Sequence, residues 1–281
     1  MKRTREILAD YGYQPKKSRG QNFLVQERVL KRIVDCAHIK PSETVIEIGP
    51  GTGGLTRRLV RAAKKVVAIE LDSELATILK AELAADNLEV VQADALETEF
   101  ADFAAPGERL KVIANLPYNI SAPILFKLID SSHLFSELLL LVQLEVAERI
   151  AAPPGKKPYG ILAARAQLVA DARVLFEVAP SAFRPRPKVT SALVRLRMLE
   201  KPRAEVQDME MFKRVVRGAF ARRRKTLRNS FSEELLGCSR EAVTELMTEL
   251  GIAPSRRAET VTVSEFASLA NALSRKADRD A

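Results

Sequence analysis

Glu47, Glu70, Asp94 and Asn115 stand at or beside the ends of four successive short runs rich in β-branched and apolar residues: Thr44 to Ile48, Lys65 to Ile69, Leu88 to Val91 and Lys111 to Ala114. Three carboxylates and a carboxamide in such a series would act as hydrogen-bond acceptors along the carboxyl edge of a sheet, where open α/β folds bind their ligands. The first run leads into Gly49-Pro50-Gly51-Thr52-Gly53-Gly54. Glycines between a strand and a helix let the backbone approach a nucleotide closely, because a Cβ there would collide with it. Gly49, Gly51 and Gly54 also fit G-x-G-x-x-G, which keeps a nicotinamide dehydrogenase open as an alternative. Glu47, two residues before the first glycine, favours instead a cofactor with a cationic end and no phosphate, such as S-adenosylmethionine with its ammonium and sulfonium. Glu70 is placed to accept from ribose hydroxyls, which both cofactors carry, and Asp94 from an adenine amino group.

Asn115-Leu116-Pro117-Tyr118 closes the fourth run. The exocyclic amine of adenine is a poor nucleophile because its lone pair is delocalised into the ring. Two acceptors, the Asn115 side-chain oxygen and the Leu116 carbonyl, would hold its two hydrogens in a geometry that frees the pair. Pro117 fixes the turn, Tyr118 offers a face for base stacking, and Phe183 is the candidate for the opposite face. The base must leave its stack to reach such a site. The chemistry expected is direct methyl transfer to N6 of adenine, without a covalent enzyme intermediate. No metal is expected, since Cys36, Cys238, His38 and His133 have no ligand-cluster spacing.

The elements that must position these residues follow from periodicity. A helix is expected from Gln26 to Ala37, with Val29, Leu30, Ile33 and Val34 on one face, ended by Pro41-Ser42. Helices over Leu55 to Ala62 and Ser73 to Ala84 alternate with the four runs and a fifth, Leu138 to Val142. Alternation of buried strands with helices reads as an α/β fold with a largely parallel sheet, Rossmann-like. Val174 to Val178 and Ala192 to Leu196 would form a hairpin-like edge, joined through the proline-rich Phe183 to Lys188. Beyond Lys201 the strand signals stop, and helical patterns follow near Glu210 to Asn229, Arg240 to Leu250 and Ser264 to Leu273. The expected division is therefore a catalytic domain over 1–200, with a basic leader over 1–20, and a helical domain over 201–281. The charged start, Met1 to Asp10, and the lack of any long apolar run lead to the expectation of a soluble, cytoplasmic protein with no membrane partner.

Charge is unevenly spread. Residues 1–40 hold ten Lys/Arg against four Asp/Glu, residues 41–200 nineteen against twenty, and residues 201–281 sixteen against twelve. Basic flanks on a neutral body suit a polyanion, whose neutralised phosphates release counterions. Arg222, Arg223, Arg224, Lys225 and Arg228, expected on one helix with Lys213, Arg214 and Arg217, are the candidate RNA grip, with Arg184, Arg186 and Lys188 beside the pocket.

The chain resembles the ribosomal RNA adenine dimethyltransferases, within them the bacterial small-subunit enzymes. The resemblance rests on Gly20-Gln21-Asn22-Phe23-Leu24, Glu47-Ile48-Gly49-Pro50-Gly51, Asn115 to Ser121, Tyr159-Gly160, Pro185 to Ser191, Arg223 to Asn229 and Arg257-Ala258-Glu259. It implies that Asn22 and Leu24 contact the methionine end of S-adenosylmethionine, that Gly49 and Gly51 approach the cofactor through the backbone beside Glu47, that Glu70 holds the ribose and Asp94 the adenine, and that Asn115 touches both cofactor and target amine. It further implies dimethylation of two adjacent adenosines in the 3′-terminal hairpin of 16S rRNA within the immature 30S subunit, by a monomer. Macrolide-resistance enzymes acting on 23S rRNA share nearly all these motifs, and an assembly factor without catalysis is a third reading. The sequence departs from the resemblance at Leu144 and at Ala163-Ala164, where a lysine and a Ser-Val pair are expected.

Overall fold

The structure, a computed structural model, describes residues 3–16, 19–222 and 224–280. It divides into two compact units, Met1–Ala147 with Arg173–Met198, and Glu148–Ala172 with Leu199–Ala281. In chain order the elements to the middle of the molecule are α1 (Thr4–Asp10), β1 (Phe23–Leu24), α2 (Glu27–Ala37), β2 (Thr44–Ile48), α3 (Thr56–Ala62), β3 (Lys65–Glu70), α4 (Ser73–Glu82), β4 (Leu88–Gln92), β5 (Leu110–Asn115), α5 (Ser121–Asp130) and β6 (Phe135–Gln143). There follow α6 (Leu144–Ala151), α7 (Ile161–Val169), β7 (Ala170–Val178), β8 (Phe183–Arg184), β9 (Ser191–Met198), α8 (Met209–Phe220), α9 (Leu227–Ser230), α10 (Glu233–Leu236), α11 (Arg240–Glu249) and α12 (Val263–Asp280).

Among the described residues a seven-stranded sheet runs in the order β4-β3-β2-β5-β6-β9-β7. The pairs β2–β3, β2–β5, β3–β4 and β5–β6 are parallel, whereas β9 runs antiparallel to β6 with Leu140 opposite Val194. Every residue of β2 is buried, as expected of a parallel strand covered on both faces. The chain moves outward from β2 to β3 and β4, then restarts on the other side with β5, so the topological switch lies between β2 and β5. Gly49 follows one of these strands and Asn115 ends the other, which places both at the crevice that such a switch opens.

The α2 helix ends at Ala37, as its sequence suggests, but what stops it is His38 in the left-handed conformation that terminates helices, ahead of Pro41-Ser42. The expected edge pair is present as neighbouring strands β9 and β7. The leader is anchored: Ile7, Tyr13 and Phe23 bury against Leu75 and Ile78 of α4. Full burial of one such aliphatic side chain is worth roughly 1.5–3 kcal/mol.

The second unit departs from a single cut at residue 200. Residues 148–172 belong to it because Ala152, Tyr159, Ala163, Ala164 and Leu168 pack into one core with Phe212 and Val216 of α8 and Phe266 and Ala270 of α12. Ala163 and Ala164 are fully buried there, so the departure from the resemblance at these positions concerns packing. The helix expected from Glu210 to Asn229 is interrupted. Asp208 caps α8, accepting from Glu210 N and Met211 N at 2.8 and 3.0 Å, but the helix ends at Phe220. A run of like charges with no apolar residue before Leu227 offers the continuing helix no buried face. The chain turns instead, with Lys225 N donating to Arg222 O, and resumes as α9, tied by Leu227 N to Arg256 O.

Candidate active site

The crevice at the switch is a cleft of about 780 Å³ including its open mouth. Its walls come from the leader (Gly20, Gln21, Asn22, Phe23), the glycine loop (Gly49, Gly51), the strand ends (Glu70, Asp94) and the segment Asn115 to Ile120. Of the residues singled out in the sequence, Asn22, Gly49, Gly51, Glu70, Asp94, Asn115, Leu116, Pro117 and Tyr118 thus share one cavity.

Gly51 shows why the loop needs glycine. Its φ is +56°, and a Cβ there would lie 2.8 Å from the Phe23 ring. Its N–H donates to Glu70 Oε2 at 3.1 Å, while Asp72 N donates to Glu70 Oε1 at 2.9 Å. Burial holds the Glu70 carboxyl above its ordinary range, opposed by these two backbone donors. Asp94 lies just beyond β4 and accepts from Leu96 N at 2.8 Å through one oxygen.

At Asn115 the amide is oriented by the leader. Its Nδ2 donates to the Asn22 carbonyl at 2.9 Å, and its Oδ1 is buried without a partner. A buried acceptor left unsatisfied costs free energy, and a donor from a ligand would recover it. Tyr118 is held by a 2.5 Å bond between its hydroxyl and that of Ser191, and Ser121 Oγ donates to the Tyr118 carbonyl at 3.1 Å. Burial raises the Tyr118 pKa, so the phenol keeps its proton at neutral pH.

Three expected members lie elsewhere. Glu47 sits mid-strand in β2, is 2 % exposed, and is off the cleft lining; with Leu24, Gly49 and Asn115 it borders a smaller neighbouring cavity. Burial, with a contribution from Glu70, pushes its carboxyl up to about 8, and its Oε2 has no partner. Leu24 is buried in the core around Leu30 and Ile33. Phe183 is fully buried in that same core, not opposite Tyr118: pairing of β8 with β1 gives Phe183 to the interior and Arg184 to solvent. Arg184, Arg186 and Lys188 are exposed and off the cleft lining, as are Arg222, Arg224, Lys225 and Arg228 in the second unit; Arg223 lies outside the described residues.

Sequence reasoning missed the hub beside the cleft. Asp72, 1 % exposed, caps α4 through Oδ1, while its Oδ2 meets Tyr13 Oη and Lys16 Nζ, both at 2.9 Å, and Arg19 Nη1 at 2.5 Å. Tyr13 also reaches Gln21 Oε1 at 3.0 Å, which accepts from Lys16 N at 2.7 Å. Burial works to raise the Asp72 pKa, but the Lys16 and Tyr13 bonds and the Arg19 charge outweigh it and hold the carboxyl below its ordinary value. Only the N-cap role was legible, as an acid before a helical run. Ser191 was likewise without a signal of its own.

Glu70 and Asp94 fit a nucleoside, and the orphaned acceptor of Asn115 fits a ligand that brings a donor. A family described as ribosomal RNA adenine dimethylase matches residues 12–275. A ribosomal RNA small subunit methyltransferase A from Geobacter metallireducens is 46% identical over 266 residues, 93% of this chain and 96% of the relative. A crystal structure of a dimethyladenosine transferase from Plasmodium falciparum aligns with TM-score 0.76 at 29% identity, over 90% of this chain and 97% of the other. The 23S rRNA methyltransferase ErmE aligns with TM-score 0.68 at 27% identity, over 90% and 100% respectively.

Proposed function

Because the chain belongs to the ribosomal RNA adenine dimethylase family, we propose that it dimethylates N6 of two adjacent adenosines in the 3′-terminal hairpin of 16S rRNA, within the assembling 30S particle. The observation that carries the assignment of the site is the Asn115 amide, pinned through Nδ2 to the Asn22 carbonyl with its Oδ1 left as a buried, unpartnered acceptor. When bound, S-adenosylmethionine supplies an electrophilic methyl group on a sulfonium. Glu70 and Asp94 hold the nucleoside portion, and Gly49 and Gly51 allow its close approach.

Asn115 Oδ1 and the Leu116 carbonyl accept the two N6 hydrogens and turn the amine so that its lone pair stands clear of the ring. Tyr118, anchored to Ser191, stacks on the base and fixes the approach. Orientation of this kind accounts for a large share of such an acceleration, and the acceptors act where positive charge develops on nitrogen. The methylated nitrogen is then acidic enough to release its proton without a dedicated strong base. After one transfer a single N6 hydrogen remains, so either acceptor suffices for the second round. Lys/Arg in the second unit, Arg222, Arg224, Lys225 and Arg228, with Arg223, grip the RNA backbone.

The reading is tested by transfer of labelled methyl from S-adenosylmethionine to unmethylated 30S particles, with nucleoside analysis of the product. Native protein is expected to yield dimethyladenosine, and Asn115→Ala to lower kcat by about 10²-fold or more. Labelling of naked 23S rRNA in preference to 30S particles would replace the small-subunit assignment. Tight particle binding with no transfer would leave an assembly factor.

A further inference from the structure

The first unit carries another concavity besides the cleft, of about 1430 Å³ including its open mouth. Its lining gathers Arg3 and Arg5 from the leader, Arg57, Arg58 and Arg61 from α3, and Arg184 from β8. Among the described lining residues the one carboxylate is Glu27, which pairs with Arg58. Six arginines against one glutamate leave five formal positive charges. These residues come from three distant stretches of chain, so the concentration arises from folding and no sequence run announces it. Arg57 and Arg61 stand four residues apart on α3, hence on one side of that helix.

Arg57 is the most telling member. It is 7 % exposed, donates through Nη1 to the Thr52 carbonyl at 3.1 Å, and has a buried Nε without a partner. Burial lowers its pKa from the ordinary value; Glu82 and Glu27 oppose that and Arg58 adds to it. A buried guanidinium donor left without a partner is costly unless an acceptor completes it. Guanidinium forks match phosphate oxygens two at a time, which favours a phosphodiester over a diffuse anionic surface. The groove also adjoins the proposed site: Phe23 lines the cleft, and Arg184, its backbone partner across β1 and β8, lines the groove.

We propose that this arginine groove is a second RNA contact, which takes the phosphodiester backbone flanking the target adenosine. The proposal rests on the rRNA reading above. It assigns Arg184 a place among α3 and leader arginines, and gives the catalytic unit its own grip on substrate.

The test uses the full chain and an unmodified transcript of the 3′ region of small-subunit rRNA, with affinity measured across a salt series. Arg5 and Arg61 are exposed, and neither has been placed in the cleft. The double variant Arg5→Gln/Arg61→Gln is expected to reduce the magnitude of the log–log salt slope by about 1.4–1.8, the loss of two phosphate contacts. Arg5→Lys/Arg61→Lys keeps the charge and should retain most of the slope. Affinity for S-adenosylhomocysteine should stay unchanged in both. An unchanged slope and RNA affinity in the glutamine variant, with native methyl transfer intact, overturns the groove alone. A parallel loss of cofactor affinity also overturns it, since the arginines would then act on the fold. A native chain that binds cofactor but no RNA sinks the rRNA reading and the groove with it.

Discussion

At the scale of single residues, the buried side-chain oxygens without a partner among the described residues of the first unit include Glu47 Oε2 and Asn115 Oδ1. Their consequences differ because only one of them titrates. The Glu47 carboxyl is pushed by burial from 4.5 up to about 8, so between those values the folded chain holds a proton that the unfolded chain has lost. Stability from this group is fully present below about pH 4.5 and declines as pH rises toward 8. Glu47→Gln removes the titration, and its stability relative to the native chain should grow between pH 4 and 9 by about 4–5 kcal/mol. Urea unfolding at pH 5, 7 and 9 measures this; parallel profiles for the two proteins would show that Glu47 ionises freely.

At the scale of elements, the leader and α4 act together. Asp72 both caps α4 and receives Tyr13, Lys16 and Arg19, and Ile7, Tyr13 and Phe23 add an apolar contact. Lys16 and Arg19 are more than a third exposed, so solvent screening limits what their charges contribute. Asp72→Ala is expected to cost about 1–3 kcal/mol, mostly from the cap and the buried phenol bond. Trypsin cleavage after Lys16 or Arg19 should accelerate in that variant more than cleavage elsewhere; equal acceleration throughout would mean that the leader is held by its apolar contacts. Much of the element plan was legible in the sequence. Strands buried on both faces read as apolar runs, and Thr44 to Ile48 stands in the structure with the limits its sequence suggests. The grouping of Glu70, Asp94 and Asn115 was legible as well, since each sits at a strand end on one edge. Asp72 was not, because an N-cap looks the same whether or not three donors from distant residues converge on it. Phe183 was misplaced for a related reason: its facing depends on pairing with β1, a contact some 160 residues away in sequence. The helix expected through Arg222 ends at Phe220, because a run of like charges carries no apolar face to bury.

At the scale of the whole molecule, the division is discontinuous: residues 148–172 leave the sheet unit and join the helical core, and from Arg173 the chain returns to complete β7 and lay down β8 and β9. A truncation after residue 200, natural from the sequence, would strip Phe212, Val216, Phe266 and Ala270 from the apolar faces of Ala163, Ala164 and Leu168. Such a fragment should self-associate, and size-exclusion chromatography checks it; a well-behaved monomer would show that the helical core contributes little cover.

The return of the chain to β9 has a consequence for synthesis. Ribosomes release the chain from its N-terminus, so β6 emerges with β5 on one side and nothing on the other until residues 191–198 follow. Leu138 to Val142 are entirely without solvent exposure in the finished sheet, yet for the time needed to translate about fifty residues their edge is open. Nascent chains halted in that window present a bare apolar strand edge, open to pairing with another chain.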